Sequence, residues 1–305
     1  MTAVRHFLDI DDLSPEELTA VLDLAGRRPP QEMLAGRGVA LIFEKPSLRT
    51  RNSCEMAVVQ LGGHPVTIFH DEIRLGERET IEDATRVLQG YYCILAARVF
   101  SHRKVERMAA SAAVPVINLL SDDAHPCQAL ADLLTIRHHF GTLAGLTVGW
   151  VGDFTNVARS LLSGAMMSGM HVRLANPTGY GPTDAEVERA LVVARSGATI
   201  TRCARPEEAV AGAQVVSTDS FVSMGQEDQA AARQRAFEAY TVDARLLSVA
   251  AADAVFLHCL PAHRGAEVTD EVIDGPRSLV FPQAHNRMHS FRGLLMWLLD
   301  RSGEF

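Results

Sequence analysis

The chain has 305 residues, of which 47% are hydrophobic and 22% are charged, and its formal net charge is −8. This length accommodates one large or two ordinary domains with a sizeable core, and the composition argues against long disorder. The negative charge argues against a general nucleic-acid binder, so an anionic ligand would need a local cluster of arginines.

The cysteine pattern and the hydropathy pattern predict a cytoplasmic protein without a membrane segment. The five cysteines (54, 93, 127, 203 and 259) are far apart and show no C-x-x-C spacing, which favours reduced thiols over disulfides or structural zinc. The N-terminal stretch MTAVRHFLDIDDLSPEELT lacks the apolar region of a signal peptide. No stretch approaches the roughly 20 apolar residues that span a bilayer.

Strand-like and helical patterns alternate along the chain. The predicted strands are Val39–Phe43, Val66–Phe69, Cys93–Ala97, Val116–Leu119, Leu146–Val151, Val172–Ala175, Gln214–Ser217, Ala254–Leu257 and Leu279–Phe281. The predicted helices cover residues 48–61, 81–89, 102–112, 127–139, 156–168, 184–195 and 286–300. This alternation predicts an α/β fold of two doubly wound parallel-sheet domains with helices on both faces. The pattern restarts after Phe140-Gly141-Thr142, which places the domains at residues 1–140 and 141–285.

The stretch FEKPSLRTR joins the first strand to the first helix. Ser47 is a predicted N-cap, and Leu48 opens the helix. A helix N-terminus leaves backbone N–H groups unpaired and carries partial positive charge, and Arg49 and Arg51 add full charges. The stretch therefore predicts a phosphate site. An ordinary capped helix with surface arginines is the alternative for this motif in isolation.

Further polar clusters follow other predicted strands. Each alone has a structural explanation, such as an ion pair, a cap or a buried thiol. Ligands of open α/β sheets bind outside the carboxyl ends of the strands, so clusters that recur there indicate one functional site. The clusters are Arg98, His125 to Gln128, Asp153 with Asn156, Asp219 to Gly225, and His258 to Pro261.

These motifs together resemble the aspartate/ornithine carbamoyltransferase superfamily, and within it the ornithine enzymes rather than the aspartate enzymes. The matching stretches run from about residue 39 to 300: FEKPSLRTR, the arginine of AARVF, HPCQALADLLT, VGDFTNVARSL, TDSFVSMGQE, HCLPAHRG and AHNRMH. S-x-R-T-R with H-P-x-Q marks the superfamily, whereas D-x-x-x-S-M-G with H-C-L-P points to ornithine. The resemblance implies a first domain that binds carbamoyl phosphate and includes the C-terminal helix, residues 286–305, packed back on it. It implies a second domain that binds ornithine.

The resemblance also implies a role for each matching residue. Arg98, His125, Thr50 and Cys259 would be catalytic, the first three by donating to the carbonyl oxygen as it becomes an oxyanion. The residues implied to bind carbamoyl phosphate are Ser47, Leu48 through its backbone, Arg49, Thr50, Arg98, His125, Gln128, Cys259, Leu260 and Arg287. Those implied to bind ornithine are Asn156, Asp219, Ser223, Met224 and Cys259, with Cys259 beside the δ-amine. No metal or organic cofactor is expected.

Departures from the family pattern set further expectations. Leu48 stands where many members carry Thr, Phe221 where Trp is common, and His285 where Glu is frequent. Arg74, in a loop that reaches the neighbouring subunit in this superfamily, occupies a position where Gln is usual, and we expect it to contact phosphate in trans. A solvated loop charge is the alternative for this residue. The family implies a homotrimer or a higher assembly of trimers.

Three alternatives remain open at this stage. The acceptor amine could be a relative of ornithine, namely an N-acylornithine, lysine or putrescine, because one methylene changes binding by only about 1–3 kcal/mol. A dinucleotide-dependent oxidoreductase is suggested by VGWVGDFTNVARS, although no G-x-G-x-x-G follows the strand. The third alternative is a carbamoyltransferase-like protein with a binding or regulatory role.

Overall fold

The structure, a computed structural model, describes residues 4–27, 32–195, 197–222 and 227–301. These residues form two compact units. The first unit comprises the described parts of Met1–Leu134 and His285–Phe305, and the second is Thr135–Ala284 apart from its undescribed residues. The chain therefore returns to the first unit at its C-terminal end.

The first unit is built on a four-stranded parallel sheet with the strand order β2-β1-β3-β4. Its strands are β1 (Gly38–Phe43), β2 (His64–Phe69), β3 (Ile94–Arg98) and β4 (Val116–Leu120). Its helices are a 3-10 turn (Ile10–Asp12), α1 (Pro15–Ala25), α2 (Leu48–Gln60), α3 (His70–Ile73), α4 (Ile81–Leu88), α5 (His102–Ser111) and the start of α6 (Pro126–Phe140). The β3 strand is buried throughout, as expected of a parallel strand covered on both faces.

The second unit is built on a five-stranded parallel sheet with the strand order β7-β6-β5-β8-β9. Its strands are β5 (Thr147–Val151), β6 (His171–Ala175), β7 (Thr199–Cys203), β8 (Val215–Thr218) and β9 (Val255–His258). Its helices are α7 (Asn156–Met167), α8 (Asp184–Val192), α9 (Pro206–Val210), α10 (Ala230–Phe237), α11 (Ala244–Ser248) and α12 (Asp270–Ile273), with 3-10 turns at Glu227–Gln229 and Glu238–Tyr240. The last helix, α13 (Val280–Arg301), leads back to the first unit.

Each sheet has a switch point where the winding of the chain reverses direction. In the first sheet it lies between β1 and β3, whose ends are in register at Phe43 and Arg98. In the second sheet it lies between β5 and β8, which pair through Trp150 and Ser217. Because ligands of doubly wound sheets bind at such points, the loops after these four strands are the favoured positions for a site.

The predicted fold class of two parallel-sheet α/β domains is confirmed, but several assignments of elements differ. The predicted strand Leu279–Phe281 is wrong, since α13 begins at Val280 and the Leu279 carbonyl accepts a helical hydrogen bond from Gln283 N at 2.8 Å. Three consecutive apolar residues fit a first helical turn as well as a strand, and only tertiary packing distinguishes the two. The half-exposed β7 was not predicted, because its polar sequence TITRC lacks an apolar run.

Candidate active site

The first cluster of site residues starts at the N-terminus of α2, at the switch point of the first sheet. Ser47 is the N-cap, and its Oγ accepts a hydrogen bond from Thr50 N at 3.2 Å. Leu48, Arg49 and Thr50 form the first turn, whose N–H groups and dipole favour an anion. Leu48 directs its side chain outward, with 76% of the residue exposed. The predicted contact of Leu48 with a ligand through its backbone stays a prediction.

Two buried arginines from distant parts of the chain converge on Thr50. Arg98, the last residue of β3, has Nη1 at 3.5 Å from both Ser47 Oγ and Thr50 Oγ1. Arg287, on α13, donates from Nη2 to Thr50 Oγ1 at 3.0 Å. Both guanidinium groups belong to residues that are less than a tenth exposed. Positive charge is thus concentrated beside the N-terminus of α2, in a position to bind an anion.

Gln128 contacts Arg287, and Asp132 in turn contacts Gln128. Gln128 Oε1 accepts from Arg287 Nη1, and Gln128 Nε2 donates to Asp132 Oδ1 at 2.7 Å. All three residues are buried. Asp132 was not among the predicted site residues, although its signal was in the sequence as a carboxylate four residues after Gln128 on the same helix face.

His125 lies just before α6 and is 4% exposed. Burial lowers the pKa of its imidazole well below the ordinary value, and the charges of Arg287, Arg98 and Arg49 lower it further. The imidazole is therefore neutral at neutral pH, and it can donate a hydrogen bond without a full charge.

Lys45 is a further cation of this cluster that the sequence reasoning missed. Its Nζ lies 4.3 Å from the centre of the Phe100 ring, a cation–π distance. Burial lowers the pKa of the Lys45 ammonium, and the Arg98 charge lowers it further, so the two cations are close enough to interact. The sequence signal that could have identified Lys45 was its position within FEKPSLRTR, the stretch predicted to form a phosphate site.

Arg74 ends the short helix α3 and has an exposed side chain. Its backbone is left-handed, with φ 43° and ψ 60°, a conformation that is uncommon for residues other than glycine. The predicted contact of Arg74 with a phosphate in trans stays a prediction.

The second cluster lies at the switch point of the second sheet and centres on Asp219. This buried residue follows β8, and its Oδ1 accepts from Ser220 N at 2.8 Å and from Cys259 Sγ at 3.2 Å. Its Oδ2 accepts from Thr155 Oγ1 at 2.9 Å. The fold thus brings together Asp219 and Cys259, as predicted, and adds Thr155, the N-cap of α7.

Asn156 and Leu260 flank this cluster. Asn156 is the first residue of α7 and half-buried. Leu260 has a left-handed backbone with φ 57°, and its N–H donates to His258 Nδ1 at 2.9 Å. Ser223 and Met224 lie outside the described residues, so their predicted contacts with the amino-acid head stay predictions.

A buried ion pair supports the loop that carries Asp219. Arg233 donates to Asp153 Oδ2 and to the Phe221 carbonyl, and its guanidinium lies 4.9 Å from the centre of the Tyr180 ring. Burial raises the pKa of the Asp153 carboxyl, whereas the Arg233 charge acts in the opposite direction. Arg233 was not predicted as a site residue.

Two of the three departures from the family pattern have simple structural settings. Phe221 is buried and stacks on Phe237 with ring centres 4.7 Å apart, so an aromatic ring fills this position. His285 is exposed, whereas the neighbouring Asn286 and Arg287 are buried.

The described part of the chain contains neither a metal-binding cluster nor a membrane-spanning helix. No three His, Cys, Asp or Glu side chains there are grouped so as to hold a metal ion. No helix in those same ranges has both the length and the apolarity needed to cross a bilayer.

Comparisons with known proteins agree on one family. The family model "Aspartate/ornithine carbamoyltransferase, carbamoyl-P binding domain" matches residues 5–138, and the model for the "Asp/Orn binding domain" matches residues 144–298. The chain is 49% identical to the ornithine carbamoyltransferase of Acidothermus cellulolyticus, with 98% of each chain covered.

Solved structures give the same result for the fold. The chain is similar to ornithine carbamoyltransferase from Thermus thermophilus, with a TM-score of 0.88, 45% identity, and coverage of 98% of this chain and 100% of the other. The Pyrococcus furiosus enzyme of the same name gives a TM-score of 0.93 at 42% identity, with 98% of each chain covered.

Proposed function

The chain belongs to the aspartate/ornithine carbamoyltransferase family, and we propose that it transfers the carbamoyl group of carbamoyl phosphate to the δ-amine of L-ornithine. The products are L-citrulline and phosphate. The proposal is supported by relatives named ornithine carbamoyltransferase that match nearly the whole chain. Carbamoyl transfer to a related amine, namely an N-acylornithine, lysine or putrescine, is the second candidate, because a hydrocarbon chain of different length changes binding only modestly.

One observation carries the donor side of the proposal: two buried arginines converge on Thr50 in the first turn of α2. A dianionic phosphate needs such a combination of full charges, hydroxyl groups and backbone N–H donors. Arg49, Ser47 and the N–H of Leu48 would complete the phosphate contacts. Residues 1–140 with 286–305 form the proposed carbamoyl phosphate domain, and residues 141–285 the proposed ornithine domain.

In the proposed mechanism the δ-nitrogen attacks the carbamoyl carbon, and negative charge develops on the carbonyl oxygen. Thr50, Arg98 and His125 donate hydrogen bonds to this oxygen, and each well-placed donor is worth about 3–4 kcal/mol. The neutral state of His125 suits a donor role, because an imidazolium would add a fourth cation beside three arginines. Gln128 and Arg287 orient the carbamoyl group, and the backbone at Cys259 and Leu260 accepts from its NH2. The carbon–oxygen bond to phosphate then breaks, and phosphate leaves with the bonding electrons and takes up the proton that the attacking nitrogen loses.

The amine must be neutral to attack. An alkyl amine titrates near 10.4, so about 0.1% is neutral at pH 7.5, a cost of about 4 kcal/mol. Desolvation and nearby arginines favour the neutral form. Asp219 suits the α-ammonium, because its carboxylate is already held by three donors and needs no reorganisation. Asn156, Ser223 and Met224 would hold the carboxylate end, and Cys259 would lie beside the δ-amine.

The proposal includes a homotrimer, or a higher assembly of trimers, with Arg74 reaching the phosphate of a neighbouring copy. Exposed apolar side chains on α2 and at the end of the edge strand β2 support self-association: Leu48, Met56, Val59 and Phe69. Leu48, Met56 and Val59 share one face of α2, because they are spaced by three or four residues or multiples of these. Equilibrium sedimentation giving a monomer at micromolar concentration would contradict this part.

We place the reaction in the cytoplasm and in arginine biosynthesis. All five cysteines are free thiols, a state that a reducing compartment maintains. Assay of citrulline formation in fractionated cells tests the compartment.

The decisive experiment is a citrulline assay of the purified chain without added metal, run with ornithine, N-acetylornithine, lysine and putrescine as acceptors. We expect ornithine to give the largest kcat/KM. A larger kcat/KM with any other amine would identify that amine as the acceptor instead. Turnover itself separates an enzyme from a protein with a binding or regulatory role. The oxidoreductase alternative has little support, because Asp153 places a carboxylate after β5 where a dinucleotide would bring its pyrophosphate.

A further inference from the structure

Lys104 lies on α5, outside the residues assigned to either ligand, and its ammonium group joins two segments of the first unit. Nζ donates to Glu44 Oε1 at 2.5 Å and to the Leu75 carbonyl at 3.1 Å. The side chain of Glu44 is fully buried, and that of Lys104 is 24% exposed. A fully buried carboxylate needs a cationic partner, so the Glu44 carboxylate requires the Lys104 ammonium to stay at this position.

The Glu44 end of this bridge belongs to the phosphate motif. Glu44 follows β1 directly and precedes the N-cap Ser47 by three residues. Its Oε2 accepts from Phe100 N at 2.8 Å, and the Lys45 ammonium lies 4.3 Å from the centre of the Phe100 ring. Glu44 therefore fixes the backbone between the sheet and the anion-binding helix.

The Leu75 end of this bridge belongs to the loop of Arg74. Leu75 follows Arg74, and its side chain is fully buried in one core cluster with Val105 and Met108 of α5. The loop thus has an apolar anchor through the Leu75 side chain and a polar anchor through its carbonyl. Between these anchors and α4, Gly76 to Thr80 are exposed. Arg74 directly precedes this anchored residue, and its left-handed backbone is held by its own N–H, which donates to the His70 carbonyl at 2.7 Å.

We propose that Lys104 is a positioning residue for carbamoyl transfer. It holds Leu75 against the phosphate motif, so that the preceding Arg74 points in one direction toward a phosphate bound by a neighbouring copy. This inference rests on the proposed function and on the proposed role of Arg74 in trans. A pre-oriented guanidinium loses less conformational entropy on binding than a mobile one, so the effect falls on the affinity for carbamoyl phosphate.

The test uses a variant that removes both charges of the bridge. Lys104→Met alone would leave the buried Glu44 charge unpaired, whereas Glu44→Gln/Lys104→Met avoids this and keeps an acceptor for Phe100 N. We expect the KM for carbamoyl phosphate to rise about three- to tenfold, the cost of ordering one long side chain. The kcat and the ornithine KM should stay within about twofold. Amide hydrogen exchange across residues 75–80 should accelerate. The matched control is Arg103→Met, which removes an exposed charge immediately before Lys104 on α5, in a surface pocket that Leu75 and Lys104 also line.

Repeating the measurement in a chain that already carries Arg74→Ala separates a positioning role of Lys104 from a general loss of structure. If Lys104 acts through Arg74, Glu44→Gln/Lys104→Met should raise the carbamoyl phosphate KM less than about twofold when Arg74 is already Ala. The same fold-increase in both backgrounds would overturn the proposal, as would an unchanged KM or unchanged exchange in the original background. A chain that forms no citrulline at all would instead sink the proposed function. The exchange rates and the calorimetric Kd for carbamoyl phosphate would still report on the bridge.

Discussion

Asp219→Asn is the substitution that most sharply tests the ornithine side of the site. The carboxylate accepts three hydrogen bonds, two at Oδ1 and one at Oδ2. The Asn carbonyl oxygen can take the place of Oδ1 and keep the bonds from Ser220 N and Cys259 Sγ. The new NH2 then faces Thr155 Oγ1, which can rotate to accept. The substitution therefore removes the charge and leaves the local hydrogen bonds satisfied.

Under the proposed assignment, the interaction lost is a hydrogen bond between two ionised groups, the carboxylate and the α-ammonium of ornithine. Such bonds contribute about 1.5–3 kcal/mol, which corresponds to about 10- to 150-fold in the ornithine KM. Steady-state citrulline assays that vary each substrate should show this increase, with the carbamoyl phosphate KM within about threefold. Asp184→Asn, at the exposed N-terminus of α8, is the matched control and should change neither value. Equal increases in both KM values, or no increase, would refute the assignment of Asp219.

Three further predictions concern the first unit. Arg98→Ala should reduce kcat by at least about 100-fold in citrulline assays, because it removes a donor to the developing oxyanion, and a loss below tenfold would contradict that role. The pKa of His125 is lowered in the folded state, so the unfolded chain takes up a proton first as the pH falls below about 6.5. The free energy of unfolding therefore decreases between about pH 6.5 and the lower pKa of the folded state. Thermal unfolding between pH 7 and 5 should thus show a smaller loss of Tm in His125→Asn than in the unsubstituted chain, and equal losses would count against a buried neutral imidazole. Leu48→Thr should lower the carbamoyl phosphate KM by at most about fivefold, because it adds one hydroxyl beside the Leu48 N–H that is the proposed phosphate donor. A larger decrease in this KM would show that the backbone N–H alone is not an adequate donor.

The fold class and most of its elements follow from the sequence because strands and helices differ in hydrophobic period and in length. That information is local, so it fails where the local pattern is ambiguous. Leu279–Phe281 became the start of α13, and the polar edge strand β7 was missed. The helix α1 was also missed, although Ser14 and Glu17 form a capping box around Pro15 at its start.

The candidate site likewise has residues that the local sequence pattern predicts and supporting contacts that it does not. Side chains next to strand ends could be placed at one edge of a sheet in advance, as for Ser47, Arg98 and Asp219. The supporting contacts could not, since they join distant segments: Arg233 reaches Asp153 over 80 residues, and Lys104 reaches Glu44 over 60. Such pairs have no spacing that marks them in a single sequence.

The most direct test of the account is a crystal structure of the chain with a bisubstrate analogue that joins a phosphonate to ornithine. We expect the phosphonate to lie within hydrogen-bonding distance of Ser47 to Thr50 and Arg98, and the α-ammonium to lie at Asp219. A phosphonate bound away from the N-terminus of α2 would contradict it.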